Sequence, residues 1–156
     1  MPSPKTFKEA AIQLLRRSEQ MDTLKKVPLF TNLSKRDLNQ ITRHMDQVRF
    51  KAGKVLVKEG ELGREFLILL KGEVRVKRKG RTIRKMSKGS YFGEISMISP
   101  GLRTATVEAE TDVELLVLNT RSFNHLLDSV KGLARKMLVA VCDYVREQED
   151  ALKKQI

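Results

Sequence analysis

The chain has 156 residues, the size of one domain with a hydrophobic core of its own, and its 40% hydrophobic content and mean hydropathy of -0.36 fit an ordinary globular protein. No apolar run approaches the roughly 20 residues that a membrane-spanning helix requires. The net charge of +12 is unevenly spread: residues 1–90 carry 23 Lys and Arg against 9 Asp and Glu, residues 91–156 carry 8 against 10, and such an excess suits an anionic partner such as nucleic acid, an acidic protein or an anionic membrane.

Met1-Pro2-Ser3-Pro4-Lys5 carries no apolar segment of signal-peptide type. The spacing of Ala10, Ala11, Leu14 and Leu15 predicts a helix over residues 5–24, which Pro28 breaks. Ser34 is placed to cap a second helix, with Asp37 three residues on and Leu38, Ile41 and Met45 on one face. From about residue 47 to 118 the period becomes strand-like. The runs Lys54 to Val57, Glu65 to Leu70 and Val74 to Lys77 alternate with glycines at turn positions, and two further strands fit 104–109 and 112–118. Many short strands at this spacing predict a closed or double-layered β architecture of jelly-roll type.

After Asn119 the helical period returns, with a short helix from Arg121 to Asp128, a break at Gly132 and a longer helix to the end. That last helix carries two apolar stripes, one of Leu133, Met137, Ala140 and Tyr144 and one of Leu138, Val141 and Val145. It therefore has two partners: the β structure, and either a ligand or a second copy of the chain, which makes a homodimer an open expectation. Cys142, the single cysteine, excludes an internal disulfide, reads as a small apolar helix residue and suits a reducing compartment, so a cytoplasmic protein is expected.

The chemistry concentrates in Tyr91-Phe92-Gly93-Glu94-Ile95-Ser96-Met97-Ile98-Ser99-Pro100-Gly101-Leu102-Arg103-Thr104-Ala105-Thr106-Val107. A cyclic phosphate joined to a ribose wants a guanidinium fork, exposed backbone N–H groups and a fixed acceptor for the 2′-hydroxyl. Arg103, Gly93 and Glu94 offer these groups within one segment, although taken alone they fit a surface arginine and a helix-capping glutamate better.

Phe92-Gly93-Glu94-Ile95-Ser96 and Arg103-Thr104-Ala105-Thr106-Val107 resemble the two halves of the phosphate-binding cassette of the cyclic-nucleotide-binding domain family, which includes the catabolite activator protein, the regulatory subunits of cAMP-dependent kinase and the C-terminal domains of cyclic-nucleotide-gated channels. The step from Glu94 to Arg103 is that of the kinase regulatory type. Val27-Pro28-Leu29-Phe30, Gly60 to Ile68 and Gly72-Glu73-Val74 are similar to further family segments in the right order. The resemblance implies an α+β fold with an eight-stranded β-roll, N-terminal helices and two C-terminal helices. It divides one structural domain into a helical segment 1–46, the roll 47–119 with the cassette at 92–107, and hinge and lid helices 120–156.

The resemblance also implies the roles. Arg103, with Thr104 and the Ala105 backbone N–H, would meet the phosphate; Gly93 and Glu94 would hold the ribose. Phe92, Ile95 and Ser96 would complete the cassette, with Val57 and Leu69 as apolar walls or core. Thr104, Tyr144 and Gln148 are the candidates for the base. Thr104 permits cGMP without excluding cAMP. Family members often place proline directly before the arginine, whereas here Pro100 is followed by Gly101 and Leu102. The ligand would draw the cassette inward, shift the segment around Ile95 and Ile98 and close the last helix as a lid, signalling to a protein effector in trans.

Three rival readings compete with this one. A cupin-like metalloenzyme needs clustered ligands, and His44 and His125, far apart in sequence, read as helix-surface residues. No nucleophile-base spacing or phosphate-cradling glycine loop suggests an enzyme, and neither a metal nor a cofactor is expected. A DNA-binding module is not expected, since the chain stops with its last helix. The third rival is a degenerate roll that has lost its ligand and serves as an interaction scaffold through the basic cluster Arg75, Lys77, Arg78, Lys79, Arg81, Arg84, Lys85 and Lys88. The alternation of Val74 and Val76 with Arg75 and Lys77 predicts that these charges project from the outer face of a hairpin.

Overall fold

The computed structural model describes residues 6–27, 30–93, 99 and 101–155, with the side chains of 140, 144 and 155 left out. Helix α1, Phe7–Lys25, opens on Thr6, whose hydroxyl accepts from the Glu9 N–H at 3.1 Å, and its C-cap is Lys26; Pro28 lies outside the described residues. Helix α2, Lys35–Arg43, is capped by Ser34, whose hydroxyl accepts from the Asp37 N–H at 3.1 Å. Ten strands follow among the described residues: β1 Asp46–Phe50, β2 Val55–Val57, β3 Leu62–Gly63, β4 Glu65–Lys71, β5 Val74–Arg78, β6 Arg81–Met86, β7 Tyr91–Phe92, β8 Gly101–Leu102, β9 Thr106–Ala109 and β10 Val113–Asn119. Helices α3, Thr120–Ser129, and α4, Leu133–Gln155, close the chain, and Gly132 between them has φ +78°.

Eight strands form the roll as two antiparallel sheets of four, ordered β1-β10-β4-β7 and β2-β9-β5-β6, while β3 and β8 make a separate pair. The α+β roll expected from the sequence is therefore the fold. Two cores explain it. Along β4, Phe66, Ile68 and Leu70 face the helices, while Leu67 and Leu69 face the second sheet. Successive strand side chains point to opposite faces, so a strand buried on both sides reads as an unbroken apolar run. Strand β10 divides the same way, with Leu116 and Leu118 toward the helices and Val113 and Leu115 inward. The helical layer contributes Leu24, Phe30, Leu38, Ile41, Phe123 and Leu126.

The terminal helices are only partly absorbed. Of α1, Thr23 and Leu24 are buried, whereas Phe7, Leu14 and Leu15 stay exposed, so its first half stands clear of the core. On α4, Leu133 and Met137 pack on the core, but Leu138 and Val145 are exposed, as is Cys142. No described helix is long and apolar enough to cross a membrane.

The β5–β6 hairpin turns at Lys79 and Gly80, both with positive φ (51° and 78°), as a two-residue loop requires. Its register corrects the reading of the basic cluster. Val76 lies opposite Arg84 and Val74 opposite Met86, and directly paired residues share a face, so Arg84 points inward with the valines. Arg78, two residues after Val76, shares that side. Arg75, Lys77 and Lys85 project outward, where Arg75 and Lys77 grip Glu108 (2.9 and 2.8 Å) and Lys85 grips Glu110 (2.9 Å).

Candidate functional site

A cleft of about 540 Å³ opens beside the second sheet. Its apolar floor includes Val57, Val76 and Val107, and its polar groups include Arg78, Arg84, Arg103 and Thr104. The size fits a nucleotide-sized ligand, since small-molecule pockets run from about 300 to 1,000 Å³.

Arg103 is fixed from three directions. Its N–H donates to the Glu61 carbonyl at 2.8 Å, and its own carbonyl accepts from the Gly60 N–H at 2.9 Å. Its Nη2 donates to the Glu65 carbonyl at 2.6 Å. Gly63 and Gly93 flank the guanidinium so closely that a Cβ on either would collide with it, and a Cβ on Gly93 would also strike the Glu65 carbonyl. Gly93 adds φ +88°, a backbone conformation that favours glycine. The two glycines thus do one job, allowing a guanidinium to lie against main chain.

The two residues after Pro100 have a structural role. Gly101 and Leu102 form β8 and pair with Gly63 and Leu62 of β3, which brings Arg103 against Gly63. Thr104 follows, exposed, with its carbonyl accepting from Arg78 Nε at 3.2 Å, and the Thr106 hydroxyl accepts from the Glu59 N–H at 3.0 Å.

Of the residues singled out in the sequence, Val57, Phe92, Gly93, Arg103, Thr104 and Ala105 all line this cleft. Glu94, Ile95, Ser96 and Ile98 lie outside the described residues, as does the side chain of Tyr144. Leu69 is fully buried in the inner core and belongs to the packing beneath the cleft. Gln148 is exposed on the distal half of α4, and no described residue of α4 lines the cleft. Gly63, the Glu65 carbonyl, Arg78 and Arg84 were missed. Period-two counting inward from Val76 and Met86 locates both arginines, but nothing in the sequence signals that Gly63 meets a residue 40 positions later.

Glu108, beneath the outward face of β5, has its carboxyl held below the usual carboxylate range, first by the hydrogen bond from Lys77, with burial opposing and the charges of Lys77 and Arg75 adding to the drop. It anchors the hairpin and takes no place in the cleft. His44 and His125, distant in sequence, are neighbours in space, with ring centroids 5.5 Å apart. His44 is half-buried, with Nδ1 2.9 Å from the Gln40 carbonyl, and His125 is exposed on α3. Among the described residues no group of three or more His, Cys, Asp or Glu is placed to hold a metal.

Comparison with known proteins agrees with this geometry. Residues 47–130, more than half of the chain, match the cyclic nucleotide-binding domain family. The chain is 32% identical over 113 residues to a cAMP-dependent protein kinase regulatory subunit of Schizosaccharomyces pombe, covering 72% of this chain and 27% of that protein. It is 34% identical over 131 residues to a cGMP-dependent protein kinase of Drosophila melanogaster, covering 79% and 14%. It thus spans little more than a quarter of these curated relatives at most. The N-terminal domain of a transcriptional regulator from Streptomyces coelicolor superposes with a TM-score of 0.77 at 30% identity, covering 83% of this chain and 94% of that one. The roll, the glycine-flanked arginine and these matches together make the chain a member of the cyclic nucleotide-binding domain family.

Proposed function

We propose that the cleft binds cAMP or cGMP, and that the chain is a regulatory module, without catalysis of its own, that conveys its ligand state to a separate partner. The observation that carries this reading is the Arg103 guanidinium held between Gly63 and Gly93 at the cleft. A guanidinium pre-positioned by the Glu65 carbonyl loses little freedom on meeting a phosphate, which favours a charge-assisted, forked contact. In this reading Thr104 and the Ala105 N–H join Arg103 on the phosphate, and Gly93 with Glu94 holds the ribose. Thr104 lines the cleft, which supports it as a base-side candidate, while the side chain of Tyr144 lies outside the described residues. Relatives named for dependence on cAMP and on cGMP leave both nucleotides in play.

A ligand shifts a conformational balance only if it contacts one state better than the other. Helix α4 is the element suited to supply that difference. It restarts after Gly132 with φ +78°, and its outer stripe, Leu138 and Val145, is exposed and available to close over a bound base. A reducing cytoplasmic setting suits the exposed, free Cys142.

Thermal melting of nucleotide-stripped protein tests the reading. Ligand at about a hundred times Kd stabilises by about 2.7 kcal/mol. For a domain of this size that raises Tm by about 5–10 °C. A rise with cAMP or cGMP but not with linear AMP or GMP supports the proposal, and an unchanged Tm with both cyclic nucleotides contradicts it.

A further inference from the structure

A second cleft, of about 640 Å³, lies between the end of α1, strand β6 and the turn into β7. Lys26, Arg84 and Lys88 line it, with Thr23, Ser90 and Tyr91. No carboxylate is among its described lining residues, and these three cations take part in none of the ion pairs found among the described residues. Their neighbours Arg75, Lys77 and Lys85 are paired with Glu108 and Glu110, whereas Lys26, Arg84 and Lys88 share one cleft without such a partner among the described residues.

Strand β6, which contributes Arg84 and Met86 to this cleft, ends the order β2-β9-β5-β6, pairing with β5 on one side and with no described strand on the other. An open edge offers backbone donors and acceptors to any extended chain, and cations on such an edge repel a second copy of the same strand. They attract an acidic strand for the same reason. We propose that the free edge of β6, together with the cleft cations Lys26, Arg84 and Lys88, docks an acidic segment of a partner protein in extended conformation.

Other anionic partners fit less well. Adhesion to a lipid surface adds apolar anchors to basic charge, and none of the strongly exposed large apolar side chains lines this cleft. Single-stranded nucleic acid asks for exposed aromatic faces to stack on, whereas Tyr91, the aromatic residue among the described lining, is half-buried. Neither Lys26 nor Lys88 lines the first cleft, so the proposal stands whether or not that cleft takes a cyclic nucleotide.

The test is fluorescence anisotropy on the full chain, without nucleotide, using a labelled short peptide of alternating glutamate and valine. Binding is expected, with Lys26→Ala/Lys88→Ala weakening it by about tenfold and the distal pair Lys153→Ala/Lys154→Ala by less than about twofold. Methylating alternate peptide nitrogens, which keeps the charge and removes strand pairing, is expected to abolish binding. The proposal is overturned if the wild type ignores the peptide at millimolar concentration, if both lysine pairs lose affinity equally, or if the methylated peptide binds as well as the parent. It is also overturned if phosphatidylserine vesicles or a single-stranded oligonucleotide bind more tightly with the same dependence on Lys26 and Lys88. Unchanged melting of both double variants ensures that a loss is read as binding.

Discussion

Replacing Gly63 by alanine separates the binding role of Arg103 from its place in the fold. A Cβ built on Gly63 meets Arg103 Cδ at 2.8 Å and the guanidinium closer still, against about 3.5–4.0 Å for an unstrained carbon contact. The arginine must therefore retreat by about an ångström, taking its fork away from the cleft. The colliding atoms belong to a flexible side chain, and the backbone of Gly63 lies outside the positive-φ region, so folding is little affected. Removing glycine's freedom in the unfolded chain offsets part of the disturbance, by about 0.4–1 kcal/mol. Melting is expected within about 3 °C of wild type. A displaced charge-assisted hydrogen bond is worth about 1.5–3 kcal/mol, so nucleotide affinity should fall by about ten- to a hundredfold in isothermal titration. Wild-type affinity in Gly63→Ala would refute the claim that this glycine holds the guanidinium in place.

Three further outcomes follow from the same geometry. Thr104→Ala removes the one described hydroxyl among the base-side candidates, a contact worth about 0.5–1.5 kcal/mol, and should change the ratio of cGMP to cAMP affinity by up to about tenfold; an unchanged ratio in competition binding would remove Thr104 from base selection. The Glu108 carboxyl is held low in the folded chain, so its contribution to stability is present above its ordinary pKa and is lost as pH falls through its lower folded value. Glu108→Gln should therefore destabilise at neutral pH and flatten the dependence of Tm on pH in the acid range; parallel Tm curves would contradict the role given to Lys77 and Arg75. Phe123→Ala, at a fully packed position joining α3 to the outer core, should cost about 3–5 kcal/mol in urea denaturation, and a loss under about 1 kcal/mol would mean that α3 is not anchored there.

The sequence made the roll legible because its strands are short, β-rich and punctuated by glycine, and the start of α2 was legible because Ser34 was placed to cap it, whereas the capping role of Asn119 was seen only in the structure. It could not divide Phe66 to Leu70 between two cores, since a continuous apolar run hides which residues face which layer. Arg103 was found through resemblance, but its environment was not: Gly63 and the Glu65 carbonyl lie about 40 residues away and meet it only because β8 pairs with β3. The basic hairpin was half legible. Alternation assigned Arg75 and Lys77 outward correctly, but treating the cluster as one face concealed Arg78 and Arg84, which period two turns toward the cleft. The apolar spacing of α1 was a true helix signal and a poor burial signal, since Leu14 and Leu15 remain exposed. The proximity of His44 and His125 belongs to the packing of α2 against α3, which no local pattern encodes.

Isothermal titration of cAMP and of cGMP into nucleotide-stripped wild type and Arg103→Ala is the most direct test of the central claim. Truncating one partner of a hydrogen-bonded charge pair costs about 2–5 kcal/mol, so at least one nucleotide should bind the wild type and lose about thirtyfold or more in the variant. Equal affinities in the two proteins, or no binding of either nucleotide to a folded wild type, would contradict it.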